Sequence, residues 1–338
     1  MKSDLVLDAT KFAPTAISKE TQLFNDELSA LNESYPAFSP TRVGDYRAQA
    51  MRGEIAMPRS AILPQAKSIT IPSREPGRDI PCRLFFPEGE GTAVEGVFLH
   101  IHGGGYVLGS EKVSDTLLQL YANAKSYAVV SVGYRLAPEH PFPAGPQDCY
   151  DVSEHLVRKG KDEYGAELKM IGGDSVGANL SVLTALHLLR TFPALSLAGL
   201  VLLFGGFSHG VVPSGTTKKG VSLLSQSFWK DLLSCYLPAG SNNGAEALHL
   251  YSPEVAPFYA DLEEFRGRLP KALFLAGTAD VLMDDSVMMC VRWQQAGAEG
   301  ILRVVPGGAH CFTGLPVEKY PAAKEGLEVV QEFLDETD

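Results

Sequence analysis

Positive charge is in short supply in this 338-residue chain, where 29 Lys and Arg stand against 40 Asp and Glu for a formal net charge of -11. Nucleic acid and anionic membranes recruit clustered Lys and Arg, so neither is expected as a partner. The acidic balance reads as an aid to solubility. Cysteine is scarce and odd in number: Cys82, Cys149, Cys235, Cys290 and Cys311 show neither redox nor metal-ligand spacing. That pattern points to free thiols in a reducing, cytoplasmic setting, with Cys149 and Cys290 packing as small apolar residues. No stretch reaches the roughly 18 apolar residues of a membrane span. The first residues, Met1 to Asp8, hold a short apolar run with acids at both ends, unlike a secretory signal. Residues Leu334 to Asp338 carry no common retention or lipidation signal. Internal repeats and low-complexity linkers are missing too. No group of His, Asp or Glu has zinc-ligand spacing, and neither a metal nor a cofactor is expected.

What is present is an ordinary globular composition, 45% hydrophobic and 20% charged, in a length that suits one α/β core with an insertion or cap. Short apolar runs recur at Ile80 to Phe86, Val97 to Ile101, Ala128 to Val132, Leu168 to Ile171, Leu200 to Phe204, Ala272 to Leu275 and Ile301 to Val305. Runs without alternation suit parallel strands covered on both faces. Helical segments lie between them: Val113 to Lys125, Pro146 to Lys161, Val176 to Arg190, Ser286 to Ala296 and Glu318 to Leu334. Such alternation predicts a mostly parallel central sheet with helices on both faces, binding its ligand at the carboxyl ends of the strands. Residues 1–62 lack strand runs and lean helical, at Glu20 to Leu31 and at Arg42 to Met57. Residues 205–265 break the alternation with Gly-rich and Ser-rich stretches, Phe228-Trp229 and several prolines. The expected organisation is an N-terminal cap segment over 1–62 and a core over 63–338, with a cap insertion at about 205–265.

The chemistry-bearing motifs all follow strands. Gly173-Asp174-Ser175-Val176-Gly177 stands between the strand ending at Ile171 and an apolar helix from Val176. A serine on a tight strand-to-helix turn, with glycines allowing close approach, is a nucleophile elbow, and the helix amino terminus favours developing negative charge there. His102-Gly103-Gly104-Gly105-Tyr106 follows the strand ending at Ile101. Its glycines let backbone amides converge on one oxygen, the loop form of an oxyanion hole, with Val176 supplying a further amide. His102 and Gly103 read as loop support, and Tyr106 as a substrate-facing residue. A base and its orienting acid should follow in the order Ser, Asp/Glu, His. Asp280 comes directly after the strand at Ala272, and His310 after the strand ending at Val305. Asp284 and Asp285 compete for the acid's place but sit at a helix start, where an acid is more often a cap or dipole partner. His100 alternates into a strand and His140 lies in a proline-rich loop, while His155, His187, His209 and His249 lack a surrounding motif and read as structural or surface residues.

These blocks, together with Tyr134-Arg135-Leu136-Ala137-Pro138-Glu139-His140-Pro141-Phe142-Pro143-Ala144, resemble the hormone-sensitive-lipase group of α/β-hydrolases, in order across residues 80–335. The resemblance implies an α/β-hydrolase fold and a triad of Ser175, Asp280 and His310. It also implies oxyanion amides from Gly104, Gly105 and Val176, a structural acid at Asp148, and a helical cap. Two departures stand out. Val176-Gly177-Ala178 replaces the family's usual Ala-Gly-Gly, and the branched Val176 is expected to narrow or reshape the site. Phe204-Gly205-Gly206-Phe207 is unlike a typical member. In overall look the chain is similar to fungal esterases of secondary metabolism. The expected function is hydrolysis of a small-molecule carboxylic ester, of short or medium acyl length or from a natural product, through an acyl-enzyme. An acyltransferase or cyclase using the same triad and a non-catalytic ligand receptor of the same fold are the alternatives, and a homodimer is compatible with the sequence.

Overall fold

A computed structural model describes residues 6–55, 61–89, 91–210, 212–217, 223–237 and 250–337. Its centre is one eight-stranded sheet. The strands are β1 (Lys67–Pro72), β2 (Asp79–Phe85), β3 (Gly96–Ile101), β4 (Tyr127–Val132), β5 (Leu168–Asp174), β6 (Gly199–Leu203), β7 (Lys271–Gly277) and β8 (Gly300–Val305). They lie in the order β1-β2-β4-β3-β5-β6-β7-β8. Only the β1–β2 and β2–β4 pairings are antiparallel; every pairing from β4 to β8 is parallel.

Continuous apolar runs become strands here because both faces of the sheet are covered. Val97, Leu99, Ile101, Val130 and Val132 point into one core cluster, while Phe98, Val129, Met170, Val201 and Leu273 point into the other. The first face is covered by α4 (Ala144–Tyr164), α5 (Val176–Thr191) and α8 (Met283–Gln295). The second is covered by α3 (Asp115–Lys125) and α9 (Pro321–Asp335). Within α5, Leu180, Leu183, Leu186 and Leu189 are all buried, so the helix after Ser175 is fixed by packing along its whole length.

Before the sheet come α1 (Lys19–Ser34) and α2 (Val43–Arg52); between β6 and β7 come α6 (Pro213–Thr217) and α7 (Gln226–Tyr236). The second expected helix, Arg42 to Met57, stops at Arg52 because Gly53 takes the left-handed conformation (φ 77°), and Met57 lies outside the described residues. The last helix starts at Pro321 rather than Glu318, since proline suits the first helical position, where no donor is needed. β1 was not foreseen. It is an edge strand whose only buried residue is Ile71, so it has little apolar signature.

The two non-core stretches reach the same end of the sheet. Asn25 of α1 donates to Gly307 O (2.8 Å) and accepts from Tyr320 Oη (2.7 Å). Arg47 of α2 donates to Val107 O (2.8 Å) and Ala137 O (2.7 Å). Phe38 and Tyr46 pack tilted against Phe228 of α7, with ring centroids 5.2 and 6.0 Å away. α1 is thereby tied beside the loop before His310, and α2 beside the loop after Gly105.

Candidate active site

Ser175 sits at the sharp junction of β5 and α5 with φ 55° and ψ -120°, a backbone conformation that costs a non-glycine residue about 1–3 kcal/mol. The flanking glycines explain why the turn can be so tight. A Cβ on Gly173 would lie 2.3 Å, and one on Gly177 2.0 Å, from the carbonyl oxygen of Ile101 at the end of β3. The elbow therefore lies directly against the strand that leads into the glycine loop. Each of the two motifs requires the other to be narrow.

Three strand ends bring the polar side chains together. His310 Nε2 lies 2.9 Å from Ser175 Oγ, and His310 Nδ1 lies 3.0 and 3.1 Å from the two carboxylate oxygens of Asp280. The carboxylate of Asp280 also accepts from Leu282 N at 2.8 Å. All three side chains are buried. Burial alone would push the imidazole of His310 down, but the adjacent Asp280 carboxylate, together with Cys311, outweighs it and holds the pKa well above the ordinary histidine value. Phe204 fixes the ring from another side, edge-on at 5.3 Å. Asp284 and Asp285 do not approach His310. Asp285 accepts from Phe207 N (2.5 Å) and Ser208 N (3.0 Å), and Asp284 from Ser214 N (2.7 Å). They anchor the residues after β6, which accounts for two acids at the start of α8.

The glycine loop is held from behind. Gly104 has φ 109°, and a Cβ there would lie 2.2 Å from Leu108 O; Gly105 has φ 64° and faces Leu232 of α7. Gly103 N donates to Asp174 Oδ2 (3.2 Å), so the residue before the serine grips the loop. His102 stacks on Tyr134 at 4.2 Å and reaches the Gly103 carbonyl oxygen at 2.7 Å through Nδ1. Burial lowers its pKa to about 4, so it stays a neutral brace. The amides of Gly104, Gly105 and Val176 donate to no other described residue. The structure thus brings Ser175, Asp280, His310, Gly104, Gly105 and Val176 to one place, with His102 and Gly103 supporting them.

Residues 98–314 match a protein family described by the alpha/beta hydrolase fold, more than half of the chain. The chain belongs to this family. An esterase from Acinetobacter venetianus is 30% identical over 268 residues, covering 76% of this chain and 82% of that protein. An ethyl acetate hydrolase from Pseudomonas putida is 29% identical, covering 77% and 79%. Among solved structures, a Pyrobaculum calidifontis esterase superimposes with a TM-score of 0.74 at 25% identity, over 91% of this chain and 96% of that one. This α/β hydrolase is a carboxylesterase-type enzyme of the hormone-sensitive-lipase kind, acting on small-molecule carboxylic esters. No helix among the described residues is long and apolar enough to cross a membrane.

The hydrolase cavity has Ser175, His310, Cys311, Gly104 and Gly105 as its floor. Leu108, Leu223, Leu224, Phe228, Trp229 and Leu232 form its apolar wall and roof, around a free space of about 30 Å³. Sequence reasoning named Phe228 and Trp229 only as part of a cap. The helical spacing of Trp229, Leu232, Leu233 and Tyr236, all buried, is the signal that marks the roof. Two site expectations place differently. Val176 does not narrow the cavity: at the first position of α5 its side chain is wholly buried in the core and is absent from the cavity wall. Tyr106 does not line the cavity either; its ring stacks on Tyr236 at 3.7 Å and its hydroxyl lies 2.9 Å from His209 Nε2. His209, read as structural or surface, is buried beside it. Asp148 is also buried and takes the Arg135 guanidinium through Nε and Nη2, each at 2.9 Å, along with Arg135 N and Arg78.

Proposed function

We propose that Ser175 is the nucleophile, His310 the general base and then acid, and Asp280 its orienting partner, with the amides of Gly104, Gly105 and Val176 receiving the oxyanion. The unbroken hydrogen-bond chain Ser175–His310–Asp280 carries this assignment. Neutral His310 takes the Ser175 proton through Nε2 as Oγ attacks the ester carbonyl carbon. The carbonyl oxygen becomes an oxyanion over the amides of Gly104 and Gly105 in the glycine loop and of Val176 at the amino terminus of α5. Collapse breaks the ester C–O bond, and His310 returns the proton to the leaving alcohol. A water, deprotonated by the same nitrogen, then releases the acid and regenerates Ser175.

Residues 1–62 and about 205–265 act in this reading as a cap over the core of 63–338, supported by the Phe38–Tyr46–Phe228 cluster and by the α7 residues that roof the cavity. The confined apolar space favours short or medium acyl groups. The Pseudomonas putida relative's ethyl acetate points the same way. The intact His310 speaks against a receptor. The free state of all five cysteines supports a cytoplasmic setting. A homodimer belongs to this reading, supported by exposed Leu120 and Val317 beside an apolar groove between α3 and α9. Light scattering at the mass of one chain removes the dimer. The assignment is tested by turnover of p-nitrophenyl acetate and butyrate: Ser175→Ala should abolish it, and persistent turnover contradicts the nucleophile. Acid as the product in water, with no ester formed from added alcohols, separates hydrolysis from acyl transfer.

A further inference from the structure

One cluster beside the cavity has no part in the hydrolytic steps. Trp229, which lines the cavity with Ser175, is buried, and its Nε1 has no hydrogen-bond partner among the described residues. The His209 ring stands edge-on to it at 5.5 Å, and His209 Nδ1 is likewise buried and unpartnered. So is the hydroxyl of Tyr236, whose ring stacks on Tyr106. The Tyr106 hydroxyl is the hydrogen-bond partner of His209 Nε2. Burial holds His209 neutral, with its pKa lowered to about 3. Trp229 therefore carries a buried N–H with nothing to donate to among the described residues, in an otherwise apolar roof. Native proteins pair nearly all such groups, and an indole N–H can pair only with an acceptor.

We propose that Trp229 Nε1–H, in the cavity wall, forms a hydrogen-bonding subsite for a second oxygen of the substrate, with the edge-on His209 ring holding the indole in place. The preferred esters then carry an ether, carbonyl or further ester oxygen a few atoms from the scissile carbonyl, on the acyl or the alcohol side, in place of a plain alkyl chain. This inference rests on the ester-hydrolase reading and adds a substrate class to it. A site built to hydrogen-bond discriminates against the analogue that lacks the bonding atom, because its own polar groups are then left unpaired.

The test uses two isosteric pairs: p-nitrophenyl methoxyacetate against p-nitrophenyl butyrate, and 2-methoxyethyl acetate against butyl acetate. In each pair an oxygen replaces a methylene. The readout is the kcat/KM ratio within a pair, compared between wild type and Trp229→Phe, which removes the N–H and keeps an aromatic ring. Differences in intrinsic reactivity cancel in this comparison, and so does structural damage that slows both esters alike. For at least one pair the ratio should fall about fivefold to tenfold, the worth of one hydrogen bond. Trp229→Leu, which also removes the N–H, is the second variant, with the same expectation, should Trp229→Phe fail to fold by its melting curve. Ratios within about threefold of wild type for both pairs in the folded variants overturn the subsite. Lack of wild-type turnover of any of the four esters, with Ser175 unlabelled by a phosphonate, overturns the hydrolase reading and this inference together.

Discussion

Below the scissile position and above it, the cavity is held in different ways. The floor is made from strand ends whose polar atoms are paired: Ser175 to His310, His310 to Asp280, Gly103 to Asp174. Its glycines are fixed by contacts that a single Cβ would break, against Ile101 and Leu108 backbone oxygens. The roof is made from one helix, α7, and the residues before it. It meets the floor through apolar side chains, and Trp229 Nε1 and His209 Nδ1 beside it have no hydrogen-bond partner among the described residues. A floor of that kind tolerates almost no variation in residue type. A roof of that kind constrains only volume and apolar character, apart from its few polar atoms. Mechanism and specificity are thus written in different parts of the chain and under different rules.

The sharpest way to break this contrast is at the acid. Asp280→Asn keeps the shape but removes the charge that orients His310, and kcat should fall about 10³–10⁴-fold. The pH profile carries the same information. Catalysis needs neutral His310, so kcat/KM should decline as pH falls through the pKa of His310. With that pKa raised by Asp280, the limb should lie above about 6.5 in wild type and move to lower pH in Asp280→Asn. An unmoved limb detaches Asp280 from His310.

Gly104→Ala tests the floor's intolerance next. A Cβ 2.2 Å from Leu108 O must displace the loop, and kcat should drop about 10²–10³-fold, the effect of losing one oxyanion donor. Stability follows at Asp285, which joins the residues after β6 to α8. Asp285→Ala leaves Phe207 N and Ser208 N without their acceptor and should cost about 2–4 kcal/mol in a urea titration. Its catalytic effect should be smaller than that of Asp280→Asn, since it lies outside the His310 chain. The smallest change belongs to the roof. Leu232→Ala should enlarge the cavity and move the preferred acyl chain toward greater length, changing relative kcat/KM values by about tenfold or less, the reach of one or two methylenes.

This contrast also decides what could be read before the structure. Chemistry dictates residue types at strand ends, so Ser175, Asp280 and His310 and the glycine loop stood out as ordered motifs, each after a dry apolar run. The doubly covered strands were legible for a physical reason: side chains that alternate between two cores are apolar at every position. β1 was not, because an edge strand with one buried residue has no such run. The inward face of α7 and the places of Tyr106 and His209 were hidden for another reason. They depend on where an insertion folds back, and no local pattern states that. Val176 shows the same limit, since its distance from the cavity wall follows from the direction of the α5 side chains and not from its size.

Covalent trapping tests the central claim most directly. Incubation with an alkyl fluorophosphonate, followed by peptide mass spectrometry, should show one adduct per chain, on Ser175, formed more slowly in His310→Ala and lost in Ser175→Ala. A protein left unmodified, or an adduct on another residue such as Cys311 in the same cavity, would contradict the account.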